Sequence, residues 1–241
     1  MLCAVHQPNF FPYLGFFHKL VHADVFVLYD TALYSRTGFH NRNRIKTAHG
    51  VKWLTVPVHV RRGQAIREAL ASDAEEVRSH LRTLEVNYRR AAFFDDVYPQ
   101  LERAYAGAVP PTLVELNRRM FDAVCRMFGY CGRVVMTSEL DIDLDLNASE
   151  ALAAMVERVG ATSYVSGPGG RGYLDEGVFR ARGLEVVWQD FHHPIYDQLW
   201  GAFEPNLSVL DVLFNVGPSA ARRLLQEAPL AAAGMASTSL A

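Results

Sequence analysis

MLCAVHQPNFFPYLGFFHKLVHADVFVLYD, residues 1–30, decides how the rest of this chain is read. Met1 to Val5 is a short apolar run of the kind a buried strand uses, and it breaks at His6-Gln7-Pro8-Asn9. An aromatic series follows, Phe10, Phe11, Tyr13, Phe16 and Phe17, with residues 15–22 reading as a helix and Asp24 to Tyr29 as a second buried strand. Strand, helix and strand in succession point to a parallel α/β arrangement. A polar His-Gln pair directly off a buried strand is costly unless it finds partners. In an open α/β sheet, the carboxyl end of a strand is also where ligands sit.

The same rhythm continues downstream. VKWLTVPV (51–58) alternates as a third strand, RVVMTS (133–138), TSYVSG (162–167) and LEVVWQD (184–190) read as further strands, and SEALAAMVERVG and LSVLDVLFNVG as helices. Residues 72–128 turn helical, with Ser72 expected as an N-cap, Glu75 at the capping-box spacing, and a second helix opening on prolines and closing at Gly129. The expected fold class is therefore α/β: a mostly parallel or mixed sheet flanked by helices, with a helical insertion at about 72–128. We read residues 1–228 as a single α/β domain and 229–241 as a frayed tail of low complexity.

Composition narrows the classes of function. Half of the 241 residues are apolar, 21% are charged, and the formal net charge of −2 gives no electrostatic footprint for nucleic acid or an anionic membrane, so neither is expected as a partner. No apolar run reaches the length of a membrane span, and no basic region precedes the apolar start as in a signal peptide. Cys3, Cys125 and Cys131 form no CxxC pair, which argues against structural zinc or a disulfide framework; no metal is expected and a reducing cytoplasm is the default.

Several segments carry chemistry. Cys3 and His6 place a thiol and an imidazole in one short stretch, the elements of an activated nucleophile. Residues three apart in a regular strand face opposite ways, so the pair meets only if the chain kinks near Val5–Pro8; otherwise Cys3 is a small apolar strand residue. NRNRIK offers forked donors from Arg42 and Arg44, beside Asn41, for phosphate or carboxylate, or is a solvated turn. The run Ser166-Gly167-Pro168-Gly169-Gly170-Arg171-Gly172-Tyr173 lets backbone approach a ligand but matches no nucleotide fingerprint. FHHPIY, with His193 and Tyr196, follows the last strand. Glu204 or Asp211 is placed to orient a histidine, while Ser208 and Asp211 also look like a helix start, the better reading for Asp211.

HQPNFFPYLGFFHKLVHADVFVLYD, NRNRIK, WLTVPV, YVSGPGGRGYL, HPIYDQ and FEPNLSVLDVLFNVG, in that order, resemble the WbqC-like family over residues 4–217. Its members accompany genes for bacterial surface polysaccharides and for small-molecule natural products. One similar branch, the condensing enzymes of lincosamide antibiotic assembly, joins an aminoacyl group held on a carrier protein to the amine of an amino sugar. That likeness implies a nucleophile at Cys3, a base at His6 and an orienting acid at Glu204. It implies as partners an acyl or peptidyl carrier protein and an amine-bearing acceptor, with the phosphopantetheine arm as substrate and no bound cofactor. Backbone amides near Gln7 or in 166–172 would serve as oxyanion hole. The substrate-binding set expected on this reading is Gln7, Asp30, Asn41, Arg42, Arg44, Ser166, Gly167, Tyr173, His193 and Tyr196. The alternatives are a sugar-nucleotide-modifying enzyme, with Arg42, Arg44 and the glycine loop on the diphosphate and Cys3 as packing, or a non-catalytic binding protein.

Overall fold

A computed structural model describes residues 1–143 and 146–230. The opening stretch gives β1 (Leu2–His6), α1 (Leu14–His22) and β2 (Val25–Leu28). Two antiparallel pairs follow, β3 (Arg42–Thr47) with β4 (Gly50–Thr55) and β5 (Val58–His59) with β6 (Leu70–Ala71). Three helices come next: α2 (Ala74–Tyr88), α3 (Phe94–Tyr105) and α4 (Leu113–Phe128). The chain then alternates through β7 (Arg133–Met136), α5 (Ala148–Arg158), β8 (Ser163–Ser166), α6 (Glu176–Ala181) and β9 (Glu185–Trp188). It closes with α7 (Val209–Val216) and α8 (Pro218–Glu227).

Five of these strands form one parallel sheet in the order β7-β2-β1-β8-β9. Counted along the chain, that is 3-2-1-4-5, the doubly wound order in which direction reverses between the first and fourth strands. Helices cover both faces, which is why β2 is buried throughout and reads as a continuous apolar run. On one face, Phe16 and Phe17 of α1 pack with Phe26 and with Phe121 of α4 at ring separations of 5.0–6.3 Å. The aromatic run of the N-terminus is thus the adhesive between α1, the sheet and α4, each buried ring stabilising by about 2–3 kcal/mol. Cys3, Val5, Val25 and Val27 point to the other face, beneath α5 and α6.

The expected fold class stands, including helices across most of 72–128. Four details differ. Residues 51–58 do not join the main sheet: β4 pairs antiparallel with β3, so NRNRIK is a strand with Asn43, Ile45 and Lys46 buried, not a turn. The cap of α2 is Asp73, whose carboxylate accepts from the N–H groups of Glu75 and Glu76, and Ser72 lies outside the helix. Pro110 and Pro111 precede α4, which is capped by Thr112 in a reciprocal box with Glu115 and closed by Gly129 at φ +60°. Most of the tail read as 229–241 lies outside the described residues.

Candidate active site

Between the carboxyl ends of β1 and β8, where the strand order reverses, a crevice of about 630 Å³ opens. His6 and Gln7 enter from β1, Ser166 and the short turn Gly167–Gly170 from β8, Tyr13 and Lys19 from α1 and the loop before it, and Gln189 from beyond β9. Tyr29, Tyr164 and Tyr173 complete an aromatic lining. No Asp or Glu lines it among the described residues.

Lys19 is the charge in this site. It is 6% exposed, its Nζ donates to Val5 O at 3.2 Å, and it forms no ion pair among the described residues. Burial holds its pKa down to about 8. A buried ammonium without a carboxylate, at a strand-end crevice, is set to receive an anion. Beside it, His6 Nδ1 donates to Gln7 O at 2.9 Å, which leaves Nε2 unprotonated. Burial first, then the Lys19 charge, push the His6 pKa down to about 3, so the imidazole is neutral and its Nε2 has a free lone pair that can accept a hydrogen bond.

Backbone geometry shapes the wall beyond β8. Gly170 is closely packed: a Cβ there would displace the Ser166 hydroxyl and press on Trp188. At Gly169 a Cβ would meet open space, so the turn presents bare backbone to the crevice. In the core behind the N-terminal loop, not on the crevice wall, Phe11 sits at φ +39°, a strained conformation for a bulky residue. The Asn43 amide holds it by donating to Phe10 O and Phe11 O at 3.3 and 2.7 Å. On another side of the crevice, Gln189 Nε2 donates to Gly15 O and to His18 Nδ1, both at 2.8 Å, and His18 Nε2 donates to Ala228 O.

The residues singled out from sequence divide into those gathered here and those placed elsewhere. His6, Gln7, Ser166, Gly167 and Tyr173 line the crevice. Cys3 does not meet His6. The β1–β2 register runs unbroken from Cys3↔Val25 to His6↔Leu28, so the kink that would pair them does not occur. Cys3 is fully buried among the side chains under α5, whereas the His6 ring packs 4.7 Å from Phe16 on the opposite face. Burial also pushes the Cys3 thiol up to about 12, far from a ready thiolate. Glu204 faces Arg44 at 3.7 Å and makes no contact with His6.

The remaining candidates hold the scaffold. Asp30 is buried and accepts from Ser138 N and Oγ at 2.9 and 2.6 Å, tying the ends of β2 and β7. Asn41 donates to Val56 O, Arg42 stacks 4.6 Å over Trp53, and Arg44 donates to Asn206 O. His193 Nδ1 donates to Pro194 O, with its ring among Phe191, Tyr196 and Phe203. Tyr196 donates to Asp211. Asp211 is not a cap: it is fully buried, accepts from Tyr88 and Tyr196 at 2.9 and 3.0 Å, and has its pKa raised by burial. Ser208 alone caps α7.

Sequence reasoning missed Lys19 and Gln189. Lys19 shares a helix side with His18 and His22, so its sequence position does not set it apart from a surface lysine. Among the described residues no cluster of three or more His, Cys, Asp or Glu side chains is placed to hold a metal ion.

Comparison with known proteins adds the ancestry. A family model described as the WbqC-like protein family matches residues 7–223. An uncharacterized protein of Mycobacterium tuberculosis is 40% identical over 220 residues, covering 90% of this chain and 94% of the relative. No solved structure matches the chain.

Proposed function

The chain belongs to the WbqC-like protein family, and from that premise we propose that it is an enzyme holding a small phosphate-bearing substrate in the crevice between β1 and β8, a nucleoside diphosphate sugar being the class that fits best. The observation that carries this reading is Lys19, a buried ammonium in a crevice lined by no described carboxylate. An ammonium and bare turn backbone grip a diphosphate, and tyrosine rings cover a base or a pyranose. Neutral His6 then takes a hydrogen bond from the substrate group that reacts. The grip belongs to Lys19 and the 167–170 turn; Arg42 and Arg44, first considered for it, are occupied at Trp53 and Glu204.

A second reading keeps amide formation without a covalent enzyme intermediate. An amine would attack a carrier-borne thioester directly, the C–S bond breaking as the amide forms, with His6 Nε2 passing the amine's proton on to the departing carrier thiolate. The free imidazole lone pair favours it. Against it, the phosphate of a carrier-bound arm stays at the carrier surface, whereas the cation here is buried.

Calorimetric titration of the full chain with nucleoside diphosphate sugars and with free pyrophosphate tests the first reading. Saturable binding that drops on Lys19→Met supports it. Absence of binding across the panel, with consumption of an aminoacyl-loaded carrier when an amine is added, would transfer the conclusion to the second.

A further inference from the structure

The formal charge of −2 conceals a segregation of charge. Residues 31–71 carry eight of the chain's 24 Lys and Arg and one of its 26 Asp and Glu. The same segment supplies five of the nine large hydrophobic side chains exposed among the described residues: Leu33, Phe39, Val51, Trp53 and Leu70.

Most of these gather on one surface. In the β3/β4 register Arg42 lies opposite Thr55, Arg44 opposite Trp53 and Lys46 opposite Val51, so Arg42, Arg44, Val51 and Trp53 share the outer face. Asn43, Ile45 and Leu54 pack inward. The Phe39 ring lies 5.8 Å from Trp53. Next to them, the Tyr34 hydroxyl feels the charges of Arg42 and Arg36, and its backbone N–H donates to Gln64 O. Leu33, two-thirds exposed, bridges to Ala65. These links set the 61–65 turn, with Arg61 and Arg62, beside the hairpin. Arg36, Lys52, Arg61 and Arg62 form no ion pair among the described residues.

We propose that this surface seats the protein on a negatively charged lipid bilayer, with Leu33, Phe39 and Trp53 at the headgroup boundary and the surrounding cations on lipid phosphates. Aromatic and aliphatic tips set among unpaired cations are the composition of interfacial membrane binding. A polynucleotide has no use for exposed Leu33 and Val51, and Arg42 already covers the Trp53 ring that a base would stack on. No helix of the described residues is long and apolar enough to cross a membrane, so the contact is peripheral. The patch is tied to the N-terminal loop, where Phe39 O accepts from Phe10 N at 3.0 Å. This inference goes beyond the crevice reading and stands without it.

The test is co-sedimentation of the full chain with vesicles of phosphatidylcholine, alone or mixed with phosphatidylglycerol, at low and high salt. Sedimentation with the anionic vesicles only, lost at high salt, is expected. Roughly tenfold weaker binding is expected for the double variant Arg61→Glu/Arg62→Glu and for Trp53→Ser. Lys19→Met should bind vesicles as the parent does, so that failure at the crevice and failure at the patch are told apart. Equal binding to neutral vesicles, no binding, or binding unchanged in both patch variants overturns the proposal. So does binding that moves with the patch for single-stranded RNA or an acidic polypeptide but not for vesicles.

Discussion

Burying the Lys19 ammonium costs the fold about 3 kcal/mol, the equivalent of holding its pKa near 8 instead of 10.5. Between those values the unfolded chain binds the proton more readily than the folded one, so this penalty is complete below about pH 8 and is relieved as pH rises towards 10.5. Lys19→Met should therefore raise stability at pH 7 by about 1–3 kcal/mol and flatten that alkaline gain, as urea titrations at several pH values would register. The same variant should bind phosphate-bearing ligands about 10- to 100-fold more weakly, the loss of one charge-assisted contact. A residue that destabilises the fold and strengthens binding is one kept for its ligand. Cys3 gives the opposite expectation: Cys3→Ala should cost about 1 kcal/mol of packing and leave ligand affinity within about threefold. Loss of turnover in a stably folded Cys3→Ala protein, or an acyl adduct found by mass spectrometry on Cys3, would reverse our view of that thiol.

Elements were more legible than contacts. Runs such as VFVL at 25–28 identify buried parallel strands because only a strand covered on both faces is apolar at every position. The carboxyl end of β1 was marked in the same way by the abrupt change to His6-Gln7. Lys19 was hidden because its role depends on Val5 O, fourteen residues back across the βα turn, and a helix pattern does not report such a partner. Asp211 misled for a related reason. Its place in the first turn of α7 suits a dipole contact, while its partners Tyr88 and Tyr196 come from distant segments. A Cys3–His6 pair depended on a kink near Val5–Pro8, and none forms; the strand stays regular to its last residue. At the turn beyond β8 a small change should have a local effect. Gly170→Ala forces Ser166 or the turn to move, and ligand affinity should fall about tenfold or more with only a modest change in melting temperature. An unchanged affinity would remove the 167–170 turn from the site.

Across the whole molecule, the half-buried His6 and the buried His40 and His80 bear on the acid limit. Burial lowers His6 to about 3 and His40 and His80 to about 4. Because the folded state binds fewer protons than the unfolded one in that range, stability present above about pH 6.5 is lost as pH falls towards 4 and below. His80→Gln, which can keep a hydrogen bond to Thr55 O, should lessen the slope of stability between pH 4 and 6.5, read by denaturant titration. The strand order has a kinetic counterpart. β1 meets β2 across one short helix, yet its other neighbour is β8, and β2 waits for β7 at residue 133. Closing such long loops is slow, so β1-α1-β2 should gain amide protection in pulse-labelled refolding before β8 does. Until then one side of the central strand stays an unsatisfied edge, open to pairing with any passing chain. Placing the crevice beside that late seam means that a nascent chain has no complete crevice before residue 166 has been made and docked.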